Sequence, residues 1–502
     1  MLENLFLLIC GILTVALIIR LFWAKFEISW LFNTTKYLVW SLPFELFPRI
    51  EIGGSGFRIS QFLVIFGFLV ILVLTCKKDT QLLQKKLHSQ SFFPLVFIFL
   101  SIPSWFIVKD WTRFGVHFFG TILVFGALFL IMNFTTNVWK RIIELAHILI
   151  LCSVFGLYQF FGDIIGLPTF ATGLKDHYTK AVFGIPRIQG TAVEPLYFAG
   201  MLVIPLLVIF ILIINKDNTN SQKNLMEKVY QISQNLFKLL GVKSKKDDDK
   251  ILEENTSKQV INNINILGKK FYSSQSYNIF CFLLVLIVFI LTLSKGTFAV
   301  LFLVLPFFLT ACYLYFKDFN YFVKEVFFKS FLIIGIFTLL SLSFINPVTL
   351  FGSIGQNFVD TIAGTSPSSI ERGNFLKEAI YFTPSNIIQG IGMGQYGKYV
   401  GDNLGYINAD QKAIVNNVYV EILLEEGVFA FIWFIIMLFS PLIKLMSDTK
   451  KLYLNKEFFL PHFCLFFILV VYYLSWNFFS PIFIMPIFIL LGLSYCLTNI
   501  KN

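Results

Sequence analysis

The stretch Asn417-Val-Tyr-Val-Glu421-Ile-Leu-Leu-Glu425-Glu-Gly427-Val-Phe-Ala-Phe-Ile-Trp-Phe-Ile-Ile-Met-Leu-Phe-Ser440 passes from polar to apolar within a few turns. From Val428 to Phe439 it carries no charge, as a helix entering hydrocarbon requires. Before it lies a polar island, residues 347–416, in a chain that is otherwise mostly apolar. Hydrophobic residues make up 57% of the chain and charged ones 14%, and 62 residues are Phe. Backbone polar groups inside a bilayer must be satisfied internally, so the expected fold is an all-α polytopic integral membrane protein. A polar loop this long on such a scaffold is where function concentrates, and the island reads as the extracytoplasmic half of an active site.

Working outward from the island, apolar runs place spans at roughly 2–23, 57–76, 92–108, 114–132, 140–161, 195–215, 277–293, 297–316, 326–346, 417–440, 459–476 and 480–498. That gives twelve transmembrane helices. The stretch 28–47 holds Asn33, Thr34, Thr35 and Lys36 at its centre and reads either as a thirteenth span or as an interfacial helix. The first run lacks a basic start and a small-residue cleavage site, so it reads as a retained helix. All seven Cys fall in or at the ends of apolar runs, which makes them core thiols instead of a disulfide framework.

The net charge of +11 is a matter of sidedness and does not point to nucleic acid. Loops 77–91, 133–141, 216–276, 317–329 and 441–458 with the tail hold 25 Lys and Arg, against 10 in loops 109–113, 162–194, 294–296 and 347–416. The first set is therefore cytoplasmic, and the island faces outward. The chain divides into N-terminal helices 1–215 with the outward loop 162–194, a lysine-rich cytoplasmic loop 216–276, helices 277–346, the large loop 347–416, and C-terminal helices 417–502. In 216–276, Leu225, Val229, Ile232, Leu236 and Leu239 keep helical spacing, as in a helix lying on the inner leaflet. No phosphate loop or metal-ligand spacing accompanies it.

Candidate chemistry lies on the outward side. Loop 162–194 closes on Arg187-Ile-Gln-Gly-Thr-Ala-Val-Glu194-Pro195, and Pro195 opens a span at its first turn. Glu194 then sits at a helix N-terminus, either as a dipole-matched charge or as a functional carboxylate. Lys295, in the tight turn Leu293-Ser-Lys-Gly, is an interfacial anchor or a phosphate-neutralising cation. In the island, Ser368-Ser-Ile-Glu371 matches a capping box and predicts a helix over about 369–382, stopping before Pro384. Its Phe375, Ala379 and Phe382 form an apolar stripe for the membrane surface or the bundle. Arg372, a cation in the first turn, opposes the dipole and so points to a partner, whether Glu371, Asp360 or a substrate. Gly392-Met-Gly394-Gln-Tyr-Gly397 matches a dinucleotide pattern without the strand–helix context, and reads instead as turns open to close approach of a substrate. Asn417, Glu421 and Glu425 are spaced to share one helix face.

Together these pieces resemble the bacterial O-antigen polymerase and ligase family. Arg187-x-x-Gly-x-x-x-Glu194-Pro195 is similar to its first outward motif, and Ser294-Lys295-Gly296 to its Ser-Arg-Gly turn. Arg372 followed by Gly390-Ile-Gly-Met-Gly394 resembles its large outward loop, and Asn416-Asn417 through Gly427 resembles its closing helix. The resemblance implies a membrane glycosyltransferase of the inner membrane that takes an undecaprenyl-diphosphate-linked oligosaccharide on the outer face. It implies Arg187, Lys295 and Arg372 at the diphosphate and Glu194 as base; Gly392, Gly394, Asn417 and Glu421 are read from their own pattern as lining the substrate. It implies no ATP, metal or other cofactor, since the diphosphate linkage carries the driving force. Partners would be lipid-linked donor and acceptor, membrane lipids, a chain-length regulator and a flippase, with no nucleic acid. Glu194-Pro195 fits the polymerase form; ligases of the family carry His-Asn where this chain has Asn416-Asn417. A lipid-linked-sugar transporter is the rival from another class, although no internal repeat supports it.

Overall fold

The computed structural model describes residues 27–44, 49–52, 55–174, 186–192, 194–214, 275–315, 367–404, 414–452, 456–477 and 485–498. The expected spans 2–23 and 326–346, and nearly all of the loop 216–276, lie outside the described residues. The chain opens with α1 (Ser29–Ser41), whose Leu31, Leu38 and Val39 are buried against α2 (Ile59–Cys76) and two later helices, α4 (Trp111–Phe134) and α5 (Val138–Ile164). At 13 residues α1 is about 20 Å long, shorter than the hydrocarbon core. Its other side, with Trp30 and Tyr37, stays exposed.

One short hairpin accompanies the helices. Between α1 and α2, β1 (Arg49–Ile52) and β2 (Ser55–Arg58) pair antiparallel, with Arg49 opposite Arg58 and Ile52 opposite Ser55. The alternation Arg-Ile-Glu-Ile ahead of Gly53-Gly54 is the local signal for this hairpin.

Apart from two short helices, Thr80–Gln84 and Thr169–Thr172, the remaining helices follow in order. They are α3 (Phe93–Trp105), α4, α5, α6 (Pro195–Ile214), α7 (Gln275–Leu291), α8 (Lys295–Tyr315), α9 (Pro367–Asn386), α10 (Tyr396–Leu404), α11 (Val418–Leu452), α12 (Lys456–Ser475) and α13 (Met485–Thr498). Six of the described helices, namely α2, α4, α5, α6, α8 and α11, are long and apolar enough to cross a membrane, and α3, α7, α12 and α13 are shorter apolar helices. This is a helical membrane protein. Helix α6 is apolar on every side and accordingly sits at the centre, enclosed by α5, α7, α8 and α12. Among the described cysteines none is paired, and Cys76 is exposed while the others are buried or half-buried.

Helices α9 and α11 depart from their sequence expectations. Helix α9 runs through Pro384 to Asn386 instead of stopping before it. Side chains serve neighbouring carbonyls at that turn: Thr383 Oγ1 donates to Ala379 O (2.7 Å) and Asn386 Nδ2 to Phe382 O (2.9 Å). Its Phe375, Ala379 and Phe382 face the protein, packing with Tyr396, Val400 and Leu424. Helix α11 is two helices, because Gly427 breaks it with φ 84° and ψ 170°. The glycine run lies against this break. Ile391 N–H donates to Leu424 O (3.0 Å), Gly392 N–H to Glu425 O (2.9 Å) and Val428 N–H to Ile387 O (2.7 Å).

Such backbone-to-backbone contact leaves no room for side chains. A Cβ on Gly390 would overlap the Glu425 carbonyl oxygen, and one on Gly427 would lie 2.5 Å from Ile388 O. Both glycines have positive φ, where a Cβ costs about 1–2 kcal/mol before any overlap. Gly390→Ala and Gly427→Ala are therefore expected to lower the melting midpoint of the detergent-purified protein by several degrees. Gly115→Ala, whose Cβ meets nothing within 4 Å, should leave it unchanged. Equal melting of all three variants would contradict the clasp.

Candidate active site

Residues 186–192, read from sequence as part of an outward loop, turn into the bundle beside α5. Ile188, Gln189, Gly190, Thr191 and Ala192 are all buried. Non-helical backbone inside a bundle needs protein partners. Gln159 on α5, itself 1% exposed, supplies two: Gly190 N–H donates to its Oε1 (2.7 Å), and its Nε2 donates to Gly190 O (3.2 Å). Gly190 has φ 56° and backs onto the Phe198 ring, so glycine is required in this motif for space as well as conformation. Gly156 of α5 opens the gap that Ile188 fills. Thr191 Oγ1 donates to Pro43 O, joining the loop to the turn after α1.

This loop delivers Arg187 to the end of α7. Ile188 N–H donates to Leu291 O (3.2 Å), while the Arg187 guanidinium donates from Nε to Thr292 O (3.2 Å) and from Nη2 to Leu293 O (3.4 Å). A cation on the last carbonyls of a helix is favoured by the macrodipole. Leu293, at φ 48°, makes the reversal into α8, where Ser294 and Lys295 stand at the helix start. The side chain of Lys295 lies outside the described ones, as does that of Glu371.

Glu194 caps the other end of the loop, its carbonyl accepting the N–H of Phe198 (3.1 Å) as α6 begins. Arg372 of α9 acts on it through its charge. The three side chains Arg187, Glu194 and Arg372, spread over 186 residues of sequence, lie in one another's electrostatic field. Burial pushes the Glu194 carboxyl above its ordinary value, and the charges of Arg372 and then Arg187 pull it back. Burial likewise lowers the Arg187 guanidinium, with Glu194 raising it and Arg372 lowering it. A half-buried acid thus feels two cations, an arrangement that favours proton uptake by burial and limits it by charge.

The other sequence candidates form an adjoining scaffold. Gly392 and Gly394 are buried at φ 99° and 73°, Gly394 against His117 and Gly392 against Val108 and Ser104 O. The group that approaches Gly394 most closely is the chain's own Glu425. Its carboxylate accepts Gly394 N–H at Oε2 (2.6 Å) and Tyr396 N–H at Oε1 (2.9 Å), capping α10. Asn417 caps α11 in turn, with Oδ1 accepting Val420 N–H (3.1 Å) and Nδ2 donating to Asn477 Oδ1 (3.2 Å). Glu421, one turn further on, is buried and its N–H donates to Asn417 O (2.9 Å).

Sequence reasoning missed Gln159, Gln395 and the structural part played by Glu425. Gln395 Oε1 accepts from the N–H groups of Lys109 (3.2 Å) and Asp110 (2.9 Å), and its Nε2 donates to Asp110 O (3.0 Å). The signal available was a neutral amide placed within an apolar helix or a glycine run, which marks a polar group needing several partners. Compared with known proteins, the chain matches no family model, no curated protein and no solved structure.

The raised Glu194 carboxyl has a pH signature. A group whose folded pKa lies above its unfolded value of 4.5 binds its proton more tightly when folded. Its contribution to stability is present below that value and is lost as pH rises through the folded pKa. Glu194→Gln keeps a neutral side chain throughout. The melting midpoint of the wild type, minus that of Glu194→Gln at the same pH, is therefore expected to fall as pH rises from about 4.5. Arg372→Ala, which removes the larger opposing charge, should steepen that fall. A difference independent of pH would show that the carboxyl is not displaced.

Proposed function

We propose that this chain polymerises undecaprenyl-diphosphate-linked oligosaccharide repeat units into a surface polysaccharide, on the outer face of a bacterial inner membrane. The observation that carries the reading is the meeting of Arg187, Glu194 and Arg372. These are the residues that the resemblance assigns to the diphosphate and to the base, and they come from motifs far apart in sequence. The loops bearing them gather at one end of a helical membrane protein.

In this reading the acceptor hydroxyl oxygen attacks the anomeric carbon of the donor repeat and gives its proton to Glu194. The bond from that carbon to the diphosphate oxygen breaks, and the electron pair leaves with undecaprenyl diphosphate. Arg372 and the guanidinium donors of Arg187 not used on Thr292 and Leu293 stabilise the developing charge. Burial of Glu194 serves the base by raising its proton affinity. Gln159, the glycine run and Glu425 hold the backbone around it.

The polymerase reading is favoured over a ligase by Asn416-Asn417, since an amide cannot take a proton and the family's ligases carry His-Asn there. Asn417 is engaged as a helix cap, and Asn416 sits at φ 58°.

Arg187→Ala and Arg372→Ala are each expected to lower repeat-unit transfer by about 10²–10³ at matched membrane levels, the loss of one charge-assisted contact to the leaving group. Glu194→Gln should fail as well. Asn416→Gly, which keeps the left-handed backbone while removing the amide, should retain activity. The readout is glycan length on gels of a deletion strain carrying each variant. In a host with a separate ligase, the deletion itself should leave single repeats on the acceptor. A bare acceptor with long polymer held on the lipid carrier would mark a ligase instead.

A further inference from the structure

Helix α9 shows two different outward surfaces along its length. Its N-terminal half exposes Asn374 and Lys377 beside Ile370, and carries Arg372. Its C-terminal half and the turn after it expose Ile380, Tyr381, Pro384, Ile387 and Ile388, with Tyr381 75% and Ile388 70% accessible. These positions share one helix face, opposite the face that packs Ala379 and Phe382 into the protein. A soluble surface has no reason to gather such side chains.

The position of this patch identifies what covers it. Gln389 Nε2 donates to Pro103 O (3.2 Å), inside the last turn of α3, and Gly392 lies against Ser104 O. Ile387 O accepts the N–H of Val428 (2.7 Å), the first residue of α11 after its break. The outward flanks of these two apolar helices are themselves exposed and apolar, Leu95 and Phe99 on α3 and Phe429, Ile432 and Ile436 on α11. The patch on α9, in which Ser385 and Gln389 are also exposed, therefore adjoins the apolar flanks of two helices near Pro103 and Val428.

We propose that the Ile380–Ile388 half of α9 is inserted among the acyl chains of outer-leaflet phospholipids, while the half bearing Arg372 stays at the headgroup level. One element then does two things: it anchors the polar island in the leaflet, and it holds Arg372 two turns away, where its charge acts on Glu194. A substrate whose anionic group sits at the headgroups and whose tail is in the same leaflet meets this cation without leaving the bilayer. The lipid contact stands independently of the transfer reaction proposed above; only this last consequence rests on it.

The test is spin-label accessibility in vesicles of phosphatidylethanolamine and phosphatidylglycerol, on full-length protein carrying Cys76→Ser, since Cys76 is exposed and would take label. Labels are placed by Ile380→Cys, Tyr381→Cys and Ile388→Cys, with Asn374→Cys and Lys377→Cys on the same helix as the aqueous reference. Collisions with oxygen should exceed those with a water-soluble nickel chelate at the first three positions, and the order should reverse at the other two. Nickel access equal at all five would overturn the proposal by placing the whole helix in water. Low access to both reagents at the first three would overturn it too, because a second copy or another protein surface would then cover the patch. Since no activity is measured, failure here leaves the transfer reading untouched, and a failed transfer assay leaves this one untouched.

Discussion

Chain that leaves helical form inside an apolar bundle must find partners for every peptide group it exposes, because no water is there to supply them. Two segments of this protein do so, the loop 186–192 and the glycine run, and each is held by one side chain that serves the backbone twice. Gln159 takes both the N–H and the C=O of Gly190. Glu425 takes the N–H groups of Gly394 and Tyr396. Arg187 applies the same logic in reverse, giving two donors to the last carbonyls before α8. An unsatisfied buried polar group costs about 1–3 kcal/mol, so these few side chains decide whether the loops enter the bundle at all.

What enters with those loops is charge. Glu194 rides on the loop that Gln159 secures, and Arg372 on the helix that packs over the glycine run through Phe375 and Phe382. Burial pushes the carboxyl up, and the charges of Arg372 and Arg187 limit that shift. The balance requires both segments to be seated, which couples the polar scaffold to the charges through packing. Arg187 belongs to both, since it ends α7 and also adds to the field at Glu194.

Much of this was legible in the sequence. Apolar run length located most described membrane helices to within a few residues, since length and composition are local properties, although α11 runs on to Leu452, well past the expected 440. The helix of the island was legible from Ser368-Ser-Ile-Glu371, and the three charged residues at 187, 194 and 372 stood out as charges in motifs between apolar runs. The break at Gly427 was not, because a glycine in an apolar run is tolerated unless another backbone presses on it, and here Ile388 does. Nor was the engagement of Glu425 with Gly394, 31 residues away, since nothing local says which distant amide a carboxylate will meet. The stripe Phe375, Ala379 and Phe382 pointed equally to lipid or protein; only contact with Tyr396 and Leu424 shows which.

The central claim is that the loop before α6 and the start of α9 form one site. It is tested most directly by bridging Glu194→Cys to Arg372→Cys with a short bifunctional thiol reagent in native membranes, and identifying the joined peptides by mass. In a Cys76→Ser background the pair should be bridged in high yield, whereas Glu194→Cys with Lys140→Cys, at the opposite end of α5, should not. Bridging at 194 and 372 no greater than in that control pair would contradict the account.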